Sequence, residues 1–157
     1  MEHKDSQAVF IVWGAPGSGK TTFVRENLGE GDVVVDLDSI AAALLGNSSA
    51  HPDYTTVLPL VLAVRDTLYT KLEARVGSWK RAFVITSTPD ENKADRLVDR
   101  LGAKCIYMDV SEEEVMSRIE SDPLRPDKAE AKKLAQEWFY EHQLSQQITE
   151  LYDSHTT

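Results

Sequence analysis

A three-layer α/β domain with a short parallel sheet flanked by helices is what this sequence predicts, and three observations carry the prediction. β-branched and aromatic runs alternate with stretches of helical period along the chain, the pattern of βαβ units and a parallel sheet. The first apolar run, Ala8-Val9-Phe10-Ile11-Val12-Trp13, is continuous, as a strand covered on both faces requires. It leads directly into Gly14-Ala15-Pro16-Gly17-Ser18-Gly19-Lys20-Thr21, a glycine-rich turn opening a helix.

The strands and helices follow in order. Thr21 to Leu28 reads as the first helix, closed by Gly29 and Gly31. Asp32 to Asp36 is a second strand. Asp38 or Ser39 can cap a short helix that Gly46 ends. After a polar loop, Thr55 or Thr56 opens a long helix to Val76, with Val57, Val61, Val64, Leu68 and Leu72 in helical period and Gly77 as its stop. Ala82 to Thr86 is the third strand. Thr88-Pro89-Asp90-Glu91 has the form of a capping box with proline at the first helical position, and that helix stops at Gly102. Ala103 to Val110 reads as a fourth, buried strand. Ser111 caps a helix to about Glu120, and Asp127 caps a final helix to about Leu151.

The length of 157 residues suits one domain, 1–157, with 1–7 as an N-terminal tail and 121–127 as a lid loop between the last two helices. A net charge of -9 argues against sequence-independent binding to long duplex nucleic acid, which needs broad phosphate neutralisation. No apolar run reaches the roughly 20 residues that span a bilayer. Residues 1–6 hold no apolar stretch of signal-peptide kind, so no membrane association is expected and a cytoplasmic location is. The single cysteine, Cys105, excludes an internal disulfide and reads as a core thiol.

The glycine loop meets the pattern Gly-x-x-x-x-Gly-Lys-Thr in full, in strand-to-helix context. Glycines let successive backbone N–H groups turn inward to phosphate oxygens, and the helix N-terminus adds partial positive charge. Gly14 to Thr21, with Thr22, are therefore the expected binding residues for the phosphates of ATP or GTP. Lys20 is expected to reach the β- and γ-phosphates and Thr21 to ligate Mg²⁺. Asp36 and Asp38 stand at the carboxyl end of the second strand, the edge where open parallel sheets bind ligands. Either carboxylate could accept a proton from an attacking hydroxyl or hold Mg²⁺ through water, while Asp38 also reads as a plain helix cap. Arg118 and the proline-flanked Arg125 are candidates for stabilising charge on a transferred phosphoryl group, or surface charges balancing nearby glutamates. Thr86-Ser87-Thr88 ends the third strand without the acidic residue that many ATP hydrolases carry there. His51-Pro52-Asp53-Tyr54 sits in the loop expected to face an acceptor. Trp138-Phe139-Tyr140 reads as a core anchor, and Lys71, Arg75, Lys80 and Arg81 form a basic cluster.

On these residues the chain resembles the P-loop kinase group that includes the phage polynucleotide 5′-hydroxyl kinase domain. The glycine loop matches, as does Asp38 at the start of the helix after the second strand, where that family has its general base. Ile106 to Val110, followed by Glu113, Arg118, Arg125 and a long last helix, is similar to the family's strand, lid and closing helix. The likeness implies Lys20, Asp38, Arg118 and Arg125 as catalytic residues and a 5′-hydroxyl of nucleic acid or a nucleotide as acceptor. The family's acceptor-binding arginine, three residues after the base, is replaced by Ala41, and Arg65 on the long helix is the expected substitute. The His51–Tyr54 loop is also similar to zeta-toxin-like kinases, which phosphorylate sugar nucleotides. The expected function is ATP-dependent phosphoryl transfer to a hydroxyl. The alternative is an accessory P-loop ATPase or nucleotide-dependent switch acting on a partner.

Overall fold

The computed structural model describes residues 6–47 and 51–156. Its strands are β1 (Ala8–Trp13), β2 (Val33–Val35), β3 (Arg81–Thr86) and β4 (Lys104–Tyr107), and its helices are α1 (Lys20–Asn27), α2 (Leu37–Leu45), α3 (Leu58–Glu73), α4 (Glu91–Leu101), α5 (Glu112–Ser121) and α6 (Lys128–Thr156). A 3-10 turn, Thr55–Val57, leads into α3. The strands form one parallel sheet in the order β2-β3-β1-β4. Phe10 of β1 pairs with Phe83 of β3 and with Lys104 of β4, which sets the glycine loop beside the end of β3, as expected.

The period of two along β1 divides its side chains between layers. Val9, Ile11 and Trp13 pack with Tyr69 and Leu72 of α3 and Ala94 and Leu101 of α4. Phe10 and Val12 face the other way, toward Val24 of α1 and Phe83. A separate cluster joins Ala15 of the glycine loop to Val115 and Ile119 of α5 and to Ala131, Ala135 and Trp138 of α6.

Long polar links fasten α6 to the site end of the sheet. The Trp138 indole donates to the Ser87 carbonyl at 2.7 Å, and the Trp13 indole donates to Thr88 at 2.6 Å. His142, buried, stacks on Trp138 with ring centroids 4.7 Å apart and meets Trp13 edge-on. Its Nδ1 lies 3.0 Å from the Pro89 carbonyl, which can only accept, so Nδ1 carries the proton and donates there. Trp138 is thus the anchor its sequence position predicts, while Tyr140 is exposed.

Several expectations are corrected. No glycine caps α1: Leu28 ends it in an extended conformation, and the Asp32 carboxylate accepts from the Gly29 N–H at 2.8 Å instead. The residue at the N-cap position of α2 is Asp36, not Asp38 or Ser39. The long helix begins at Leu58 and ends at Glu73, and Arg75, at φ 55°, makes the left-handed turn before Gly77 does. The cap of α4 is Asp90, whose carboxylate accepts from the N–H groups of Asn92 and Lys93, so Pro89 stands outside the helix. β4 lies at the sheet edge, and Cys105 is exposed rather than a core thiol. Gln7 is no free tail: it is buried and its amide donates to the carbonyls of Gly77 and Trp79. In the basic cluster, Arg81 is paired with Asp32, and Arg75 donates to the carbonyls of Leu72 and Leu101. The loop residues 48–50 and the tail residues 1–5 lie outside the described chain.

Candidate active site

The glycine loop closes between β1 and α1 with Gly17 at φ 79° and Gly19 at φ 93°, both left-handed and therefore suited to glycine. Gly14 answers a different need: a Cβ there would stand 2.8 Å from the Ser18 hydroxyl and 3.1 Å from Met108. Lys20, at the first position of α1, is buried. Its ammonium donates to the Gly14 carbonyl at 2.9 Å and to the Ala15 carbonyl at 2.6 Å. Burial lowers its pKa to about 8, with Arg125 acting in the same direction and Asp36 and Asp38 opposing. The charges of Asp36, Asp38 and Arg125 thus converge on this one ammonium.

Asp36 ends β2 and accepts a hydrogen bond from the Ser39 hydroxyl at 3.0 Å. Asp38 lies one residue into α2, half-buried, and Tyr54 stands near enough to act on its carboxylate. Burial raises the Asp38 pKa, and the Asp36 charge adds to the rise; Tyr54, His51 and Arg125 work against it. A carboxylate less solvated than usual and higher in basicity is suited to accepting a proton.

From the opposite side, the loop after α5 brings Arg125. Its Nε is buried without a hydrogen-bond partner and lies 3.7 Å from the Asp122 carboxylate. Asp122 also meets His51 Nε2 at 3.1 Å, so the loop that precedes α3 touches the loop that follows α5. Arg118 does not enter this group. Its Nη1 donates to the Ser18 carbonyl at 2.9 Å and its Nε to Glu114 at 3.1 Å, bracing the glycine loop from α5. Arg65 donates to Asp66 and lies 5.5 Å over the Tyr69 ring, while the charged groups acting on Asp38 are Asp36, His51 and Arg125. Ala41 is fully buried.

The donor set fits a polyphosphate. Left-handed glycines, the head of α1, the Lys20 ammonium and the Ser18 hydroxyl, buried with no partner, all offer positive charge or hydrogen bonds in one place. Among the described residues no cluster of three acidic, His or Cys side chains could hold a metal alone. Thr21, which is exposed, with Asp36 and Asp38 supplies hard oxygens of the kind Mg²⁺ shares with phosphate and water. Tyr54 and Asp122 were invisible to sequence reasoning as partners, because their contacts join loops that no short spacing connects. The one signal in the sequence was the expectation that the His51–Tyr54 loop faces an acceptor.

A parallel sheet, a glycine loop between β1 and α1, and a lid-like loop before the last helix define a P-loop kinase-like domain. The family model described as an AAA domain matches residues 9–141, and the chain belongs to that family. Comparison with curated protein sequences finds no match. Among solved structures, a chain of the Pnkp1/Rnl/Hen1 RNA repair complex superposes with a TM-score of 0.61 at 16% identity, covering 90% of this chain and 46% of that one. This chain therefore spans about half the length of that repair protein. Shikimate kinase from Acinetobacter baumannii, in complex with shikimate, superposes with a TM-score of 0.56 at 16% identity over 96% of this chain and 95% of its own. Shikimate kinase from Bacteroides thetaiotaomicron gives 0.56 at 14% identity, covering 85% and 78%. At these identities the likeness concerns the fold. No helix among the described residues is long and apolar enough to cross a membrane.

Proposed function

We propose that this domain transfers the γ-phosphoryl group of ATP to a hydroxyl acceptor with Asp38 as general base. The observation that carries the reading is the convergence of Asp38, desolvated and raised in pKa, with Lys20 of the phosphate loop and Arg125 of the lid. The loop amides and Lys20 hold the triphosphate. The acceptor hydroxyl gives its proton to the Asp38 carboxylate as its oxygen forms a bond to the γ-phosphorus. The bond from that phosphorus to the bridging oxygen breaks, and the electron pair leaves with ADP. Arg125 faces the charge that develops on the transferred group, where a planar guanidinium can serve two oxygens. Thr21, with Asp36 or Asp38, would hold Mg²⁺, which would supply charge neutralisation to the triphosphate.

The acceptor we favour is a 5′-hydroxyl of a nucleic acid or nucleotide. Support comes from the sequence likeness around Asp38 and the lid, and from the fold shared with a protein of an RNA repair complex. The second reading, an accessory ATPase or switch, is favoured by Ala41: it is fully buried and offers no arginine to an acceptor phosphate. The test is a transfer screen with γ-labelled ATP over 5′-hydroxyl oligonucleotides, nucleosides, sugar nucleotides and small alcohols. Label on one hydroxyl class supports transfer. Free labelled phosphate as the sole product supports the ATPase.

A further inference from the structure

The Asp122 carboxylate gathers three groups at the end of α5. Its Oδ1 accepts from the Leu124 N–H at 2.9 Å, which closes the turn into the lid loop. Its Oδ2 lies 3.1 Å from His51 Nε2 and 3.7 Å from Arg125 Nε. A carboxylate only accepts, so His51 Nε2 carries the proton and donates. The side chains of Arg125, His51 and Asp122 are 21, 26 and 27% exposed, so solvent screens these contacts less than it would at an open surface. Resting on Arg125 as the group that faces the transferred phosphoryl, we infer that Asp122 is the positioning residue of the lid: its carboxylate aims the Arg125 guanidinium and ties it, through His51, to the loop that precedes α3.

An arginine needs such a partner. Its side chain carries about 2 kcal/mol of rotamer entropy, and an unguided guanidinium meets a phosphate oxygen only part of the time. Asp122 stands three residues before Arg125, and the Arg125 N–H reaches the Asp122 carbonyl at 3.4 Å, so backbone and side chain both hold the pair together. The contact falls on Nε, which is buried and makes no hydrogen bond. It is therefore an attraction of charges, and the terminal nitrogens that suit two phosphate oxygens are not part of it. His51 shares the same carboxylate oxygen, so a shift of the His51 loop is felt at the atom that guides Arg125. Arg118 has no share in this arrangement, being committed to the Ser18 carbonyl and Glu114.

The test is a double-mutant cycle of Asp122→Asn and Arg125→Ala, read as single-turnover consumption of γ-labelled ATP with a 5′-hydroxyl oligonucleotide present, water counting as an acceptor. Asparagine keeps an oxygen for the Leu124 N–H and turns an uncharged amide toward His51 and Arg125. ATP affinity and melting temperature are measured on all four proteins. Asp122→Asn should slow consumption roughly 5- to 50-fold, within the range of couplings in one ion-pair network, with affinity and melting temperature nearly unchanged. In the Arg125→Ala background the same change should cost nothing further. Equal losses in both backgrounds, or a loss matched by a fall in melting temperature, would show a merely structural carboxylate and overturn the inference. Faster consumption by Asp122→Asn would show that Asp122 holds the arginine back, and would overturn it too. A silent Asp122→Asn beside a slow Arg125→Ala would sink the positioning role alone. Arg125→Ala at wild-type rate, or a wild-type protein that consumes no labelled ATP, would instead bring down the lid arginine or the transfer reading itself, and the inference with it.

Discussion

The charge on Lys20 is the most consequential single-residue feature. Its pKa falls from 10.5 to about 8, so between these values the unfolded chain holds more protons than the folded one, and stability without ligand rises with pH across that window. Below pH 8 the penalty of the buried ammonium is fully present. Lys20→Met should therefore melt at a higher temperature relative to wild type at pH 7, and the gap should narrow toward pH 10. Phosphate needs the charged form, so wild-type ATP affinity should weaken above pH 8, while Lys20→Ala binds at least about tenfold more weakly at pH 7 and shows a flatter profile. Calorimetry across pH 7–10 decides both points, and equal affinity of the two proteins at pH 7 would remove the loop from binding. Asp38→Asn belongs to the same scale. The N-cap position of α2 is held by Asp36, so the substitution spares the helix end. Turnover should drop about 10²–10⁴-fold, the usual scale for losing a general base, with ATP affinity nearly intact.

At the scale of elements, the lid loop and the cap of α4 make separable predictions. Arg125 has a buried Nε without a hydrogen bond and an Asp122 carboxylate 3.7 Å away, a guanidinium held in place but not saturated. Arg125→Ala should depress kcat more than ATP affinity, and Arg125→Lys should recover little because the planar fork is lost. A change confined to the KM for ATP would assign it to ground-state binding. For α4, Asp90→Ala removes a carboxylate accepting two backbone N–H bonds and should cost about 1 kcal/mol, or roughly 2–4 °C in melting temperature, against a smaller loss for Thr88→Ala. That helix also shows where the sequence was legible and where it was not. Thr88-Pro89-Asp90-Glu91 signalled a helix start correctly, but two residues in it can cap, and propensity alone placed the cap on the wrong one. Strands and helices were readable because burial imposes their periods. The edge position of β4, and with it the exposure of Cys105, depends on strand order, which no local pattern encodes. In the site, the loop and Asp38 were legible from spacing, whereas Tyr54 on Asp38 and His51 on Asp122 arise only when distant loops meet.

At the scale of the whole molecule, net charge and the placement of cations bear on the acceptor. The chain carries -9 overall, and three arginines that sequence alone would offer to a nucleic acid are engaged by the protein itself: Arg65 by Asp66, Arg81 by Asp32, and Arg75 by the carbonyls of Leu72 and Leu101. A long duplex therefore finds few phosphate partners, while the end of a single strand needs few. If a 5′-hydroxyl end is the acceptor, its affinity should depend weakly on salt, with one or two counterions released and a slope of about 0.7 for each on a logarithmic plot. Arg65 is not among the charges acting on Asp38, but its pair with Asp66 is partly exposed and weak enough to exchange for an acceptor phosphate. On that account Arg65→Ala should raise the acceptor KM and leave ATP binding unchanged. The measurement that decides is label transfer from γ-labelled ATP to a 5′-hydroxyl oligonucleotide set beside the same oligonucleotide already 5′-phosphorylated. Label on the hydroxyl form alone, with a shallow salt slope, is the expected result. Equal label on both, or on neither while ATP is hydrolysed, would exclude the 5′-hydroxyl acceptor and leave Ala41, buried where an arginine would be needed, as the residue that explains why.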